Sequence, residues 1–237
     1  MNSELLMNQN KNKAAILWTG GKDCALSFFK ARQEGYEIES LITFVPPSRD
    51  FKAHSLKVME HQAAAMNLPI RMIEITGPYD QSYETAIRCL QSEHSITTLV
   101  TGDIAEVDGQ PNWIRQRCES AGVQVWTPLW GLRRKDLLDQ LLRDGFKIIL
   151  SCVKKPWLNE SWLGRELTEE SVAELQEIGA RNGLDLCGEN GEYHTMVLDA
   201  PMFQSRIVLD ELSCERLDEM TWLKPGKISN SRANHKS

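Results

Sequence analysis

A glycine-rich stretch with one lysine and one aspartate lies near the amino terminus. Residues 19–24 read Thr-Gly-Gly-Lys-Asp-Cys, directly after the apolar run 14–18 and directly before an amphipathic run. A strand that turns at glycines into a helix points several backbone N–H groups at one spot, at the positive end of the helix dipole. Gly20 and Gly21 allow close approach, and Lys22 adds a cation. The stretch predicts a phosphate site; a plain corner with the lysine in water is the alternative.

Two common phosphate motifs do not fit this stretch. The phosphate loop of many nucleotide hydrolases has Ser or Thr directly after its lysine, whereas Lys22 is followed by Asp23. This motif also needs a glycine five positions before Gly21, but the residue at that position is Ile16. The dinucleotide motif of three spaced glycines fails as well. The residues alone therefore leave the phosphate ligand unnamed.

A glycine-aspartate pair follows the fourth candidate strand. Ligands of open parallel sheets bind at the carboxyl ends of the strands, which is where Gly102 and Asp103 lie. Gly102 would let the backbone approach an adenosine, and Asp103 would bind a ribose hydroxyl or a magnesium ion. An ordinary turn is the alternative, because Gly-Asp pairs often form turns.

The loop 159–165 gathers a carboxylate, a hydroxyl and a guanidinium. These groups belong to Glu160, Ser161 and Arg165, which lie close to two tryptophans. A guanidinium can hold a carboxylate or a phosphate with two parallel hydrogen bonds, so the loop predicts substrate binding. A solvated ion pair on a tryptophan-anchored loop is the alternative.

Two acids and a histidine follow Gly188. Glu189 and Glu192 are three residues apart, and His194 follows two residues later. Such a group suits the polarisation of a nucleophile or the binding of a cationic substrate. A lone histidine is otherwise more often a surface or core residue, and three other histidines, His54 among them, receive no role.

Composition and charge exclude several classes of protein. The 237 residues include 27 Lys and Arg against 33 Asp and Glu, a formal net charge of −6, without a block of five like charges. This charge argues against a nonspecific nucleic-acid or membrane-surface binder. The six cysteines form no C-x-x-C pair, which indicates reduced thiols, and no apolar run suits a signal peptide or a membrane span. We expect a cytoplasmic protein that does not bind membranes.

Short apolar runs alternate with amphipathic runs through most of the first half of the chain. This alternation is typical of βαβ units around a mostly parallel sheet. We therefore predict an α/β fold, an open mostly parallel sheet flanked by helices, over residues 14–153. The predicted strands are 14–18, 38–45, 70–75, 96–101, 123–127 and 146–152. The predicted helices are 24–33, 55–67, 79–93, 111–122 and 135–145.

The pattern changes after residue 153, where we place a domain boundary. The sequence pattern after residue 153 predicts a small α+β substrate domain over residues 154–224. Its predicted elements are a helix over 168–182 and short antiparallel strands at 196–198 and 207–209. Residues 1–13 and 225–237 are polar and are expected to be flexible or disordered.

Residues 19–24 resemble the Ser-Gly-Gly-Lys-Asp-Ser signature of the ATP pyrophosphatases, the PP-loop enzymes with HUP-like sheets. These enzymes cleave ATP between its α and β phosphates and activate a substrate as an adenylate. Thr19 keeps the hydroxyl of the family's serine. Cys24 replaces a second serine and keeps a weak donor besides its backbone N–H.

Further stretches resemble the signatures of the diphthine–ammonia ligase family, and the resemblance covers roughly residues 14–212. These stretches are 126–131, 159–165, 188–195 and 198–201, while 101–105 resembles the loop that closes over the nucleotide. Asn190 and His194 depart from the family, which has glycine and glutamate there. A neutral or switchable imidazole thus replaces a fixed negative charge.

The resemblance implies a role for each matched residue. The implied catalytic residues are Lys22, Asp23, Glu189 and Glu192. The implied ATP-binding residues are Thr19, Gly20, Gly21, Lys22, Asp23, Cys24, Gly102 and Asp103. The implied substrate-binding residues are Glu160, Ser161, Arg165, Gly191, His194 and Thr195. Mg²⁺ is expected at Asp23 and Asp103.

The implied reaction adenylates a carboxylate and then transfers ammonia to it, with AMP and pyrophosphate as products. In the family, the acceptor is a modified histidine, diphthine, on an elongation factor. An amidoligase for another carboxylate, a tRNA-thiolating enzyme and a nucleotide-binding regulator are the alternatives. The net charge and the absence of C-x-x-C disfavour the tRNA enzyme. Acids in both carboxy-terminal loops disfavour the regulator, and the formation of a homodimer stays open.

Overall fold

The first half of the chain folds around a parallel sheet. In the computed structural model, which describes residues 13–49, 51, 53–106 and 112–232, this sheet has five strands. They are β1 (Lys13–Leu17), β2 (Glu37–Val45), β3 (Ile70–Glu74), β4 (Thr98–Val100) and β5 (Gln124–Trp126). Their order is β3-β2-β1-β4-β5, and every neighbouring pair is parallel.

Helices cover both faces of this sheet. The α-helices of the described residues are α1 (Lys22–Gln33), α2 (Leu56–Met66), α3 (Tyr79–His94), α4 (Trp113–Ala121), α5 (Arg134–Arg143) and α6 (Glu169–Asn182). One cluster of buried side chains joins α1 and α2 to Ala14 and Ile16, and another joins α3 and α4 to Ala15. Successive side chains of a strand point to opposite faces, so this alternation places helices on both sides. The predicted α/β class is confirmed.

The second half folds around an antiparallel sheet. Its strands are β6 (Lys147–Lys154), β7 (Tyr193–Asp199), β8 (Ser205–Leu217) and β9 (Met220–Arg232). Their order is β7-β6-β9-β8, and each neighbouring pair is antiparallel. Across the described part of the chain, no helix is both long enough and apolar enough to cross a lipid bilayer.

The assignment of β6 to the parallel sheet is wrong, because β6 pairs with β7 and β9. Six consecutive residues of β6 are buried, and such a run looks like a strand of a parallel sheet. The change from one sheet to the other therefore comes before the boundary predicted near residue 153.

The expectation of disorder after residue 225 is wrong as far as the described residues reach. Residues 225–232 form the end of β9, which pairs with β8 along its whole length. Most of this strand pair is exposed, which suits the polar sequence of the segment. Residues 225–232 are ordered because they pair with β8. Residues 1–12 and 233–237 lie outside the described residues, and so does Pro111 of the helix predicted over 111–122.

Gln62 of α2 connects the two halves at the glycine turn. The Trp18 indole N–H donates to Gln62 Oε1 at 2.9 Å, and Gln62 Nε2 donates to the carbonyls of Gly20 at 3.0 Å and Val197 at 2.8 Å. The Val197 N–H also donates to the Gly20 carbonyl, at 3.0 Å. Gln62 is fully buried, so the position of the turn depends on a strand of the second sheet.

Gln62→Leu is expected to destabilise the protein. The change leaves the Trp18 N–H and the Val197 carbonyl buried without these partners, and each such group costs about 1–3 kcal/mol. We therefore expect the free energy of unfolding, measured by urea denaturation, to fall by about 2–4 kcal/mol. Gln33→Leu makes the same change at an exposed position and is the control. Equal effects of the two changes would contradict the connecting role.

Candidate active site

The glycine turn between β1 and α1 has the backbone that a phosphate site needs. Gly20 has a φ of +78°, and a Cβ there would lie 2.7 Å from Gln62 Oε1. Gly21 precedes the first residue of α1 and has no side chain of its own to cap this end of the helix. The positive end of the α1 dipole is therefore available to an anion.

Lys22 is buried beneath the turn rather than extended into water. Its side chain is 2% exposed, and Nζ donates to the Cys187 carbonyl at 2.6 Å and to Asp23 Oδ2 at 2.7 Å. Nζ also lies 5.6 Å from the centre of the Tyr193 ring. Burial opposes a charge on Lys22, but the attraction and hydrogen bond of Asp23, with smaller contributions from Tyr193 and Cys187, together outweigh burial and raise the pKa of the lysine above its usual range. The plain corner with a solvated lysine is therefore excluded.

One carboxylate oxygen of Asp23 has no hydrogen-bond partner. Oδ2 accepts from Lys22, while Oδ1 is buried and has no hydrogen-bond partner. A buried carboxylate oxygen without a partner costs free energy until a cation or a donor reaches it. Oxygen ligands suit Mg²⁺, which usually takes one or two carboxylates together with substrate phosphates. Asp23 thus fits the predicted magnesium site, although the described residues hold no group of three metal-binding side chains.

A cavity of about 250 Å³, here called the loop cavity, lies in front of the turn. It is lined by Thr19, Gly21, Lys22, Asp23, Cys24, His54, Cys187, Gly188, Glu189, Gly191, Tyr193, His194 and Thr195. Both halves of the chain therefore build it. The Lys22 backbone N–H donates to Thr195 Oγ1 at 3.0 Å, which ties β7 to the start of α1.

Cys24 stays inside the turn. Its thiol donates to the Gly21 carbonyl at 3.1 Å and lies 3.8 Å from Thr19 Oγ1. Burial raises the pKa of this thiol. Cys24 is therefore a neutral part of the turn, while the exposed Thr19 hydroxyl faces the loop cavity.

Glu189 is the acid of the loop cavity that is poised to exchange a proton. Burial, followed by the repulsion of Asp23, raises the pKa of Glu189 to about 7. A group with such a pKa is present in both protonation states near neutral pH, which suits a general base. The structure thus brings Glu189 together with Lys22 and Asp23, as predicted from the sequence.

Glu192 does not reach the loop cavity, which is a correction to its predicted catalytic role. Its carboxylate is buried and accepts from the backbone N–H groups of Asp185 and Asn190, each at 2.9 Å. The Asn190 side chain donates to it at 3.1 Å. The carboxylate thus holds the loop around Gly191 in shape, and its spacing in the sequence gave no sign of this.

Glu160, Ser161 and Arg165 are also absent from the lining of the loop cavity. Arg165 forms a two-bond ion pair with Glu174, at 2.6 and 2.9 Å, and lies 3.9 Å from the Trp162 ring centre. Ser161 Oγ donates to Asn159 Oδ1, and the Glu160 carboxylate pairs with Arg216. Their predicted substrate role is not supported, because partners supplied by the fold already occupy these groups.

Gly102 and Asp103 serve the packing of the turn. A Cβ at Gly102 would lie 2.8 Å from backbone atoms of Asp23 and Cys24, so the contact with α1 requires glycine. Asp103 Oδ2 accepts from Thr101 Oγ1 at 2.8 Å and from Asn112 Nδ2 at 2.6 Å. Neither residue lines the loop cavity.

His54 lines the loop cavity although the sequence gave it no role. Its ring contacts that of His194 edge to face, with 4.8 Å between the ring centres. Burial lowers the pKa of His54 to about 3, and burial followed by the charge of Lys22 lowers that of His194 to about 4. Both rings are therefore neutral near pH 7. No local pattern could reveal the pair, because the fold alone brings the two residues together.

Two family models match the chain. The diphthamide synthase N-terminal domain matches residues 12–125, and the diphthamide synthase C-terminal domain matches residues 134–228. The diphthine–ammonia ligase of Mus musculus is 27% identical over 224 residues, which cover 84% of this chain and 83% of that protein. The Homo sapiens enzyme is 25% identical over 223 residues, with the same coverage, and that of Danio rerio is 26% identical over 218 residues, 82% of this chain and 85% of that one.

A solved structure is also similar to the chain. It is that of a predicted subunit of tRNA methyltransferase from Methanocaldococcus jannaschii, with 19% identity and a TM-score of 0.42, and the match covers 80% of this chain and 97% of that one.

The family models together span nearly the whole described chain and include the glycine turn, Lys22 and the loop around Glu189. The chain therefore belongs to the diphthamide synthase family of PP-loop ATP pyrophosphatases.

Proposed function

We propose that this protein is an ATP-dependent ligase of the diphthine–ammonia ligase type, which joins ammonia to a carboxylate. The observation that carries the proposal is the buried Lys22 beside Asp23, at the start of α1 and in the lining of the loop cavity. This arrangement favours a polyphosphate with its cation. The relatives named as diphthine–ammonia ligases favour the same reaction.

The reaction has two steps. In the first, an oxygen of the acceptor carboxylate attacks the α-phosphorus of ATP, and the bond to the β-phosphate oxygen breaks to release pyrophosphate. In the second, ammonia attacks the carbonyl carbon of the acyl-adenylate, AMP leaves, and the nitrogen loses a proton to give the amide. ATP and ammonia are thus substrates, and AMP, pyrophosphate and the amide are products.

The residues of the loop cavity divide this work. The start of α1 and the Lys22 ammonium stabilise the negative charge that develops on pyrophosphate as it leaves. Asp23 would hold Mg²⁺ through Oδ1, and the bound ion would neutralise phosphate charge. Glu189 takes the proton that the attacking ammonia loses.

We expect the rate to depend on Glu189 with a clear pH signature. As a base Glu189 must be deprotonated, so the rate of amide formation at limiting ammonia and saturating ATP should rise with pH through an apparent pKa near 7. Glu189→Gln should remove this rise and lower the rate about 100-fold. The profile is measured at a constant concentration of uncharged ammonia. A rise that persists in Glu189→Gln would assign the base to another group.

The acceptor in this proposal bears diphthine, because the relatives are named diphthine–ammonia ligases, and the family resemblance implies an elongation factor as its carrier. A cytoplasmic location and a homodimer remain further predictions. The decisive experiment incubates the full chain with ATP, Mg²⁺, ammonium and this factor, and resolves nucleotides and modified protein. Equal amounts of AMP, pyrophosphate and amide are expected. ADP with phosphate, or tight ATP binding without turnover, would overturn the ligase function.

A further inference from the structure

A second cavity, of about 350 Å³, meets the loop cavity at His54. We call it the hairpin groove, because the β8–β9 hairpin forms one wall and the start of α2 with the segment before it forms the other. Its lining residues are Arg49, Phe51, His54, Ser55, Leu56, Lys57, Glu215, Trp222, Leu223, Lys224, Pro225 and Ile228. The volume lies in the range of ligand pockets, about 300–1,000 Å³. His54 lines both cavities, so this side chain is the point at which the groove adjoins the cavity that contains Lys22.

Hydrogen bonds hold the hairpin against α2 and thus fix the width of the groove. Asn230 Nδ2 donates to the His61 carbonyl at 3.1 Å and to Ser205 Oγ at 3.0 Å. The Gln204 N–H donates to the Ala65 carbonyl at 2.7 Å. The contacts with His61 and Ala65 join the base of the hairpin to the helix whose first turn carries Lys57. The groove is therefore a feature of the fold rather than a gap beside a free hairpin.

The described lining of the groove combines apolar walls with an excess of positive charge. Its cations are Arg49, Lys57 and Lys224, while its one acid, Glu215, pairs with Lys224. This excess contrasts with the formal net charge of −6 for the whole chain. Opposite charge steers a partner to such a surface, so the groove suits an acidic molecule with apolar parts.

The walls favour a peptide over a nucleic acid. Single-stranded RNA is held by bases stacked on exposed aromatic faces. Trp222 is only 8% exposed, so it offers an apolar wall but no open ring face. Leu223 and Pro225 beside it extend that wall.

We propose that the hairpin groove binds an acidic polypeptide segment of the acceptor, whose reacting carboxylate then enters the loop cavity past His54. The reaction rests on the proposed function, whereas the binding of an acidic segment can be tested alone. The proposed acceptor site is thus lined by Arg49, Phe51 and residues 54–57 as well as by the hairpin, so part of it lies outside the substrate domain predicted over 154–224. Arg165 and its neighbours are not part of it.

Binding is tested with three fluorescein-labelled probes on the full chain: a peptide of alternating Glu and Leu, one of alternating Lys and Leu, and an oligouridylate of equal length. The Glu-Leu peptide should bind most tightly and weaken with added salt. Lys57→Glu should raise its Kd about tenfold. An acid is favourable in the first turn of α2, so this variant should fold.

Lys135→Glu, the same change in the first turn of α5, is the matched control and should leave the Kd unchanged. The proposal that the groove binds an acidic segment would be overturned by any of three results. These are tighter binding of the oligouridylate, no binding of the Glu-Leu peptide, and equal effects of the two variants. With the modified elongation factor as substrate, Lys57→Glu should raise the KM for the factor but not for ATP. A wild type that binds the peptide at the groove yet forms no AMP would instead remove the proposed function alone.

Discussion

Replacing Lys22 by methionine is expected to lower kcat for AMP formation about 1,000-fold, the upper range for the loss of one group that stabilises transition-state charge. Methionine keeps most of the volume of the buried side chain but removes the ammonium group that donates to the Cys187 carbonyl and to Asp23. The start of α1 still faces the phosphates, so ATP binding should weaken less than kcat falls. The rate of AMP formation is measured by separating AMP from ATP on an anion-exchange column.

Two controls separate chemistry from folding in this experiment. Arg32→Met removes an exposed cation from the far end of the same helix and should change kcat less than twofold. Urea denaturation of Lys22→Met shows whether the fold survives the loss of the buried ion pair. A folded Lys22→Met protein that forms AMP at the wild-type rate would remove Lys22 from the mechanism.

Asp23→Asn is expected to raise the concentration of Mg²⁺ that AMP formation requires by about 100-fold or more. The amide keeps the shape of the carboxylate and can still accept from Lys22, but it is a much weaker ligand for Mg²⁺ than a charged oxygen. Mutation of a residue that hydrogen-bonds to a metal ligand lowers metal affinity or activity by up to about 100-fold. We expect at least that loss when the ligand itself is changed. The concentration of Mg²⁺ that gives half-maximal AMP formation measures the effect.

The acid in the first turn of α5 supplies the comparison. Asp136→Asn makes the same change at an equivalent helix position, where the side chain is exposed and pairs with Arg133. Its Mg²⁺ dependence should equal that of the wild type. Unchanged magnesium dependence in Asp23→Asn would show that the unpartnered Oδ1 does not bind the ion.

The parts of the site that could be predicted from the sequence are local ones. The glycine turn, Lys22 and Asp23 lie within six residues between a strand and a helix, so a local pattern is enough to predict a phosphate site there. The parallel sheet was predictable for the same reason, since each strand and helix has its own pattern. Glu189 was found because the acids of its loop are close in sequence.

The errors concern residues whose partners are set by the tertiary fold or by an irregular loop, rather than by the period of a helix or a strand. Arg165 looked ready for a substrate until the fold supplied Glu174, and Glu192 looked catalytic until the loop used it for two backbone N–H groups. His54 was missed because only the fold brings it to His194. Strand β9 was missed because its polar residues are ordered by pairing with β8.

The contacts between the glycine turn and β7 have a consequence for the synthesis of the protein. A nascent chain that has left the ribosome only as far as β5 contains the whole nucleotide signature, yet it lacks the Cys187 carbonyl, Thr195 and Val197 that complete the turn. Newly made chains therefore acquire the complete phosphate site only once β7 has emerged and docked. ATP affinity then reports that the two sheets have assembled, and bound nucleotide stabilises the finished protein over its translation intermediates.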